Sequence, residues 1–110
     1  MSKVLYGKVC LVTGASRGIG AAIAAALAKL GARVVVHYAR NRDLAMQVQE
    51  TLDGEEHLAL GADLKDPAAA SDLIKEVVTQ TGRLDVLVNN AGIYMPHPPL
   101  EVDADSWRDK

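Results

Sequence analysis

The sequence predicts an α/β fold in which a doubly wound parallel sheet of about four strands carries helices on both faces. Three observations lead to this prediction. Short apolar runs rich in β-branched residues alternate with segments whose apolar residues recur every three or four positions. The connections between these segments are short, and glycines or an Asp-Pro pair mark their boundaries. Such alternation is typical of parallel sheets with right-handed crossovers.

The first strand and the first helix meet in the segment 9–20, VCLVTGASRGIG. Gly14, Gly18 and Gly20 remove side chains where the backbone bends, approaches a ligand or packs a helix against its strand. The start of the helix presents unpaired N–H groups and positive potential, which suits a pyrophosphate. Glycine-rich turns also occur in α/β proteins that bind no nucleotide, so the turn alone leaves both interpretations open.

The next elements follow at short intervals. The first helix carries Ile19, Ile23, Leu27 and Leu30, and Gly31 stands where a helix commonly terminates. Residues 33–38, RVVVHY, form an apolar, β-branched run that predicts a strand covered on both faces. A second helix is indicated by Leu44, Val48 and Leu52 and ends near Gly54, and residues 57–62 predict the third strand.

The third helix has the clearest boundaries. Asp66 and Pro67 predict its N-cap and first position, and Gly82 predicts its end. Between them an apolar stripe is formed by Ala70, Leu73, Ile74, Val77 and Val78. Residues 84–89, LDVLVN, predict the fourth strand. The prolines of residues 95–100 exclude regular structure there, and Asp103 is a candidate cap for a further helix containing Ser106 and Trp107.

The doubly wound pattern places the predicted strands in the order third, second, first, fourth. Residues 84–89 then form an edge of the sheet. These residues have the composition of a central strand, without the lysine or proline that protects natural edges. We therefore expect the chain by itself to aggregate or to unfold in part, and to bind cofactor poorly.

The composition limits the classes of function. The chain has 110 residues, 49% of them hydrophobic, and a net charge of -2 with both signs interspersed, so we expect no nucleic-acid partner. No apolar segment approaches the ~20 residues that span a bilayer, so we expect no membrane partner and a cytoplasmic location. Cys10 lies in an apolar run and is predicted to be a core residue. His37, His57 and His97 are far apart in sequence, which argues against a metal site.

Polar residues follow each predicted strand. Thr13, residues 38–41, Asp63 and residues 89–92 all lie at carboxyl ends, the edge where open parallel sheets bind ligands. Asp63 has the position to accept a hydrogen bond from an adenine amine. It could equally be a turn aspartate, and Asn89 and Asn90 could equally be turn formers.

The end of the second strand indicates which nucleotide is bound. An Asp or Glu there accepts hydrogen bonds from the adenosine ribose of NAD, but no acidic residue occurs between Gly20 and Arg42. Arg40 follows the strand and Arg17 lies in the glycine-rich turn. Either arginine alone is more often a solvated surface charge. Together, and without the carboxylate, they favour NADP(H) as the cofactor.

Three motifs together carry a family resemblance. TGASRGIG at residues 13–20, Asp63 with Leu64, and NNAG at residues 89–92 resemble the short-chain dehydrogenase/reductase family in order and approximate spacing. The glycine spacing is G-x-x-x-G-x-G, which differs from the G-x-G-x-x-G of other dinucleotide-binding proteins. The resemblance implies a Rossmann-type fold, and the first and third motifs are similar to those of 3-oxoacyl carrier-protein reductases.

The resemblance also implies a cofactor site. Around the diphosphate and the adenosine phosphate it places Gly14, Ala15, Ser16, Arg17, Gly18, Ile19 and Gly20. Around the 2′-phosphate it places Tyr38, Ala39, Arg40 and Asn41. Asp63 and Leu64 are implied at adenine, and Asn90, Ala91 and Gly92 at the cofactor ribose, whereas Asn89 is implied to join the central strands.

The resemblance further implies a reaction that this chain does not complete. In the family a tyrosine with a lysine four residues on transfers the substrate proton. The tyrosines here are followed, four residues on, by other residue types: Tyr6 by Cys10, Tyr38 by Arg42, and Tyr94 by Pro98. We assign no catalytic residue and expect residues 1–110 to be the N-terminal dinucleotide-binding part of one domain, truncated before the catalytic segment. The alternative is a non-catalytic nucleotide-binding module or partner-binding fragment.

The implied parent protein is an NADP(H)-dependent oxidoreductase. It would transfer a hydride between nicotinamide and a small-molecule carbonyl or alcohol substrate, and we expect it to form homo-oligomers. The 110-residue chain is expected to be inactive alone.

Overall fold

A computed structural model gives the structure of residues 4–91 and the backbone of residues 101–103. Strands and helices alternate along the chain as predicted. In chain order they are β1 (Val9–Val12), α1 (Gly18–Lys29), β2 (Arg33–Tyr38), α2 (Arg42–Thr51), β3 (Leu58–Gly61), α3 (Pro67–Thr81), β4 (Val86–Asn89) and β5 (Glu101–Asp103). The fold is a Rossmann-type α/β fold, which confirms the predicted fold class.

The strands form one sheet in the order β3-β2-β1-β4-β5, and every neighbouring pair is parallel. At the centre Leu11 of β1 is paired with Val35 of β2 on one side and with Leu87 of β4 on the other. The predicted order of the first four strands is therefore confirmed.

The prediction that the fourth strand is an edge is wrong. β5 pairs with β4, and Leu87, Val88 and Asn89 lie opposite Glu101, Val102 and Asp103. The strand β5 has only three residues, which is too short a pattern to indicate a strand from sequence. Its backbone pairing with β4 decides the conformation of these residues. Asp103 is the last residue of β5. The irregular segment 95–100 and the helix expected beyond Asp103 lie outside the described residues.

The sheet is covered on both faces. On one face α1 and α2 pack on Cys10, Val12, Val34 and Val36, through residues that include Ile23, Leu27 and Ala45. On the other face α3 packs on Leu11, Val35 and Leu87 through Ala70, Leu73 and Val77. Burial of these side chains is the main favourable contribution to folding.

Cys10 belongs to this core, as predicted. Its side chain is fully buried on the face covered by α1 and α2. Burial, helped by the negative charge of Asp85, raises the pKa of the Cys10 thiol to about 11. The thiol therefore stays protonated at neutral pH, and its nucleophilicity is low.

The helix boundaries follow the predicted local signals. The Asp66 side chain accepts a hydrogen bond from Ala68 N at 3.0 Å, with Pro67 as the first residue of α3. Gly82 ends α3 in the left-handed conformation, with φ of 87°, and Gly31 follows α1 with φ of 99°. Within the described part of the chain, no helix is both long and apolar enough to cross a membrane.

The fourth strand begins two residues later than predicted because Asp85 holds the start of β1. Its backbone N–H donates to the carbonyl oxygen of Val9 at 2.9 Å, and its carboxylate accepts from Val9 N at 2.8 Å. Arg83 donates to the same carboxylate at 2.8 and 2.7 Å, and this hydrogen-bonded pair lowers the pKa of Asp85. The β3 prediction was longer than the strand by one residue at each end.

Candidate functional site

The carboxyl ends of the strands bring the predicted site residues to one edge of the sheet. The glycine-rich turn 13–17 follows β1, residues 39–41 follow β2, residues 62–66 follow β3, and residues 90–91 follow β4. Because all four strands are parallel and adjacent, these segments lie side by side along that edge.

The glycine-rich turn uses its glycines for backbone conformation and for close packing. Gly14 and Gly18 have φ of 60° and 65°, in the left-handed region that other residues rarely adopt. At Gly20 a Cβ atom would lie 2.4 Å from the carbonyl oxygen of Gly14 and 2.7 Å from Nδ2 of Asn90. Only glycine at position 20 therefore lets α1 pack this closely on the turn.

The first turn of α1 has no capping side chain among the described residues. Arg17 occupies the N-cap position in an extended conformation, and its side chain makes no capping hydrogen bond. By contrast, Asn41 caps α2 by accepting from Leu44 N at 3.1 Å, and Asp66 caps α3. The first turn of α1 also contains no acidic residue. Its N–H groups and the positive end of the helix dipole are thus available to an anion.

The segment after β4 is bonded to the glycine-rich turn. Thr13 is fully buried, and its Oγ1 accepts from Ala91 N at 3.0 Å. The same hydroxyl lies 3.4 Å from the carbonyl oxygen of Val88 and from Oδ1 of Asn89. Asn90 Nδ2 donates to the carbonyl oxygen of Gly14 at 3.1 Å. Two of the three motifs are therefore parts of one hydrogen-bonded unit, in which Asn89 joins the ends of β1 and β4.

His37 is a site residue that sequence reasoning missed. It is 1% exposed at the end of β2, and its Nδ1 accepts from Gly14 N at 2.9 Å. Its Nε2 lies 2.9 Å from the carbonyl oxygen of Ala62, and its own carbonyl accepts from Ala15 N at 2.9 Å. Burial lowers the pKa of His37, so the imidazole is neutral at pH 7. The sequence feature that could have indicated a role for His37 is its position as a polar residue at the end of the apolar run VVVHY.

The two arginines predicted at the cofactor phosphate are exposed. Neither Arg17 nor Arg40 forms an ion pair with any described residue, whereas Arg83 is paired with Asp85 at 2.7 Å. Ala39 is also exposed. Asn41 uses its side-chain oxygen as the cap of α2, which leaves its amide N–H groups for a ligand.

Tyr38 lies half-buried at the end of β2, and its ring is packed against the backbone of Gly61. A Cβ atom at position 61 would lie 2.6 Å from Cε2 of Tyr38. The ring therefore depends on a glycine in the neighbouring strand. Ala62 N also donates to the carbonyl oxygen of Tyr38 at 3.1 Å, which extends the contact between β2 and the segment after β3.

Asp63 is exposed directly after this segment. One of its carboxylate oxygens accepts from Lys65 N at 3.0 Å, which is the turn arrangement that the sequence left open. The second oxygen has no partner among residues 4–91. A hydrogen bond from an adenine amine is compatible with this geometry and stays a prediction. Leu64 is 4% exposed and packs in the core beneath α3.

One residue predicted at the cofactor is buried. Ala15 has no exposed surface and its N–H is bonded to the carbonyl of His37, so it shapes the turn, and its contact with a ligand stays a prediction. Ser16, Gly18 and Ile19 are accessible, Ile19 with 45% of its surface. The predicted contact of Gly92 lies outside the described residues.

Other features of the described residues do not form a second site of this kind. No group of three His, Cys, Asp or Glu side chains there is arranged to hold a metal ion. An open cleft of about 530 Å³ lies at the amino ends of the strands, lined in part by Tyr6, Arg33 and His57. Both ring nitrogens of His57 are already bonded, to Val34 N and to the carbonyl oxygen of Asp53.

Comparison of the sequence and the structure with known proteins identifies the family of this chain. Residues 8–110 match the family model of short chain dehydrogenases. The chain belongs to the short-chain dehydrogenase family. It is 55% identical over 110 residues to an uncharacterized oxidoreductase of Methylorubrum extorquens, covering 98% of this chain and 44% of that protein.

Two further proteins are similar to this chain. A 3-oxoacyl-(acyl-carrier-protein) reductase of Staphylococcus epidermidis is 44% identical over 104 residues, which are 93% of this chain and 43% of the reductase. A short chain dehydrogenase of Burkholderia cenocepacia, solved in complex with NADP, is 44% identical with a TM-score of 0.77, covering 86% of this chain and 39% of that one. The chain thus spans less than half the length of these relatives.

Proposed function

We propose that this chain is the nucleotide-binding part of a longer NADP(H)-dependent oxidoreductase. The observation that carries the proposal is the uncapped first turn of α1, which opens on the glycine-rich turn at the carboxyl edge of the sheet. Gly18 is exposed, and a Cβ atom there would meet nothing within 4 Å, so glycine at this position leaves open space in front of the turn where a diphosphate would lie.

The preference for the phosphorylated cofactor is supported by charge. Arg17 and Arg40 are exposed cations without ion-pair partners among the described residues. A carboxylate at the end of β2 would repel a 2′-phosphate, and residues 38–41 contain none. Guanidinium groups bind phosphate oxygens with paired, charge-assisted hydrogen bonds. The Burkholderia relative solved with NADP supports the same choice.

The residues of this chain would bind and orient the cofactor. The N–H groups of Gly18 and Ile19 would hold the diphosphate, and the segment held by Thr13 and Asn90 would line the nicotinamide-side ribose. The cofactor itself supplies hydride transfer to or from a carbonyl or alcohol carbon. The substrate and the residues that move the proton belong to the remainder of the longer protein, which we also propose to be cytoplasmic and homo-oligomeric.

The test is oxidation of NADPH by the longer protein with a panel of carbonyl compounds that includes 3-oxoacyl thioesters. We expect turnover with at least one compound and a lower KM for NADPH than for NADH. Failure to oxidise NADPH with any carbonyl compound, in a protein that melts cooperatively, would overturn the proposed activity.

A second function is favoured by one observation. No tyrosine of this chain is followed by a lysine four residues on, so the chain by itself is a candidate non-catalytic nucleotide-binding module. Purified chain that binds NADPH without turnover would support this function. Reductase turnover by the 110-residue chain would eliminate it.

A further inference from the structure

We propose that His37 is a positioning residue of the nucleotide site, holding the glycine-rich turn in its binding conformation only while the imidazole is neutral. The inference depends on the proposed nucleotide binding. It rests on three hydrogen bonds at the end of β2: Gly14 N to Nδ1 of His37, Ala15 N to the His37 carbonyl, and Nε2 of His37 to the carbonyl oxygen of Ala62, each 2.9 Å.

The hydrogen-bond partners determine the tautomer. Gly14 N–H can only donate, so Nδ1 must be unprotonated, and the Ala62 carbonyl can only accept, so Nε2 must carry the proton. A second proton on Nδ1 would place two N–H groups against each other. Protonation therefore breaks the side-chain bond to Gly14 and releases the turn that leads into α1.

The imidazole also connects the two ends of the nucleotide site. Gly14 lies in the turn at the proposed diphosphate, and Ala62 directly precedes Asp63, predicted at adenine. One buried side chain thus sets the spacing between these segments across the end of β2. His57 has the same pair of bonds at the start of β2, with Val34 N and the Asp53 carbonyl, far from the proposed site.

The charged groups at this edge of the sheet are all exposed, and Arg33, at the other end of β2, is half-buried. Arg17 lies in the glycine-rich turn, Arg40 follows β2, and Asp63, Lys65 and Asp66 follow β3. On α3 the charged side chains next to the core residues are also exposed, namely Asp72, Lys75 and Glu76. The residues of β4 at this edge are uncharged. No carboxylate is placed to compensate a positive charge on the buried imidazole, and its pKa is lowered by burial.

The sign of the pH effect follows from this lowered pKa. Neutral His37 is favoured in the folded protein, so its contribution to stability is complete above the ordinary histidine pKa of ~6.5. That contribution is lost as the pH falls below this value towards the lower pKa of the folded state. The cofactor affinity of the folded protein should fall as the pH approaches and passes below this lowered pKa, because binding requires the intact turn.

Two substitutions separate the two side-chain bonds. In His37→Asn the amide oxygen replaces Nδ1 and can accept from Gly14, whereas in His37→Gln the longer amide reaches the position of Nε2 and the Ala62 carbonyl. Neither amide titrates. We expect His37→Gln to lose about tenfold in NADP⁺ affinity at about pH 8, the usual cost of an unsatisfied buried donor, and His37→Asn to lose less. His57→Gln is the control for an equivalent change outside the site.

The measurement is calorimetric NADP⁺ affinity of the longer protein between about pH 8 and about pH 4.5, a range that extends well below the ordinary histidine pKa of ~6.5. The 2′-phosphate itself titrates near pH ~6, so the wild type is compared with His37→Asn at each pH. Because burial lowers the pKa of His37, we expect the extra loss in the wild type to begin only below the ordinary histidine pKa of ~6.5 and to approach about tenfold for each further pH unit once the pH is below the lowered pKa. Equal losses, or a His37→Gln affinity equal to that of His57→Gln, would refute the role of His37.

The outcomes distinguish this inference from the proposed function. No NADP⁺ binding by the wild type at about pH 8 refutes the nucleotide site itself, whereas binding with no difference between the variants refutes only the role of His37. If His37→Gln does not fold, the NMR resonance of the Gly14 amide in the wild type decides. It should shift as His37 is protonated, and a constant resonance would contradict the inference.

Discussion

Gly20 shows how little space the site leaves at a single position. The nearest neighbour of an added Cβ atom would be the Gly14 carbonyl oxygen, at 2.4 Å, and this backbone atom cannot move aside as a flexible side chain can. Alanine has the better helix propensity by up to ~1 kcal/mol, which would favour Gly20→Ala in an open helix. The steric contact opposes this gain.

We therefore expect Gly20→Ala to lower the free energy of unfolding by about 1 to 3 kcal/mol, the usual cost of overpacking. The change should also weaken NADP⁺ binding, because the turn must shift. Ala22→Ser, an exposed position of the same helix, is the control and should stay within ~0.5 kcal/mol. Urea unfolding measures the stability of both variants. An unchanged unfolding midpoint for Gly20→Ala would contradict the prediction, because it would show that the turn can shift without a cost in stability.

Arg40 is the residue through which we propose that cofactor preference can be changed. Arg40→Asp replaces an exposed cation after β2 by a carboxylate that repels the 2′-phosphate. A charge-assisted phosphate contact is worth about 1.5 to 3 kcal/mol, so the ratio of kcat/KM for NADPH over NADH should fall at least tenfold in the longer protein. Arg33→Asp makes the same charge change at the other end of β2. A ratio that responds equally to both variants would contradict a specific role of Arg40.

At the scale of whole elements, the three helices differ in how their first turns are satisfied. The caps of α2 and α3 are side chains of the chain itself, Asn41 and Asp66. Among the described residues α1 has none, although it follows the sequence motif most typical of ligand binding. The caps of α2 and α3 serve stability, whereas the N–H groups of the first turn of α1 are open to the ligand that we propose.

This difference can be measured by removing a cap. Asp66→Ala deletes the acceptor for Ala68 N and should destabilise the chain by about 1 kcal/mol without changing NADP⁺ affinity at temperatures where the protein is folded. Asp72→Ala, at an exposed position of α3, should have an effect within ~0.5 kcal/mol. Thermal melts with and without NADP⁺ test both statements, and a stability loss equal in the two variants would argue against capping by Asp66.

At the scale of the whole molecule, β5 removes β4 from the edge of the sheet, where the order of the first four strands had placed it. β4 is apolar, with Leu87 and Val88 almost fully buried, and β5 covers its outer side by three residue pairs. Backbone N–H and C=O groups of β4 that would otherwise face solvent are thereby paired.

Deletion of residues 101–110 should therefore turn β4 into an exposed edge. We expect the shortened chain to melt at a lower temperature and to self-associate, because an apolar unpaired strand promotes edge-to-edge pairing. Size-exclusion chromatography beside a thermal melt compares it with the full chain. Two monodisperse monomers with equal melting temperatures would show that β5 contributes nothing to protection of the edge. Whether the full chain aggregates stays a prediction.

The sequence by itself determined the helices and the first four strands, because local signals suffice for them. Asp66, Pro67 and Gly82 marked α3 through short-range hydrogen bonds and backbone conformation, and the β-branched run 33–38 marked β2 with its bounds. General rules of handedness then predicted the order of the first four strands. The charges on which the proposed preference for NADP(H) rests were also readable, since they depend on residue type and on position after a strand.

The tertiary structure alone decided how the edge of the sheet is held together. His37 and Gly14 are 23 residues apart, and Thr13 and Ala91 are 78 apart, so no local pattern links them. Their hydrogen bonds exist because parallel pairing brings the strand ends together and because a buried polar group must find its partner within the protein. The same pairing made a strand of residues 101–103, and it buried Ala15 where the sequence predicted a ligand contact.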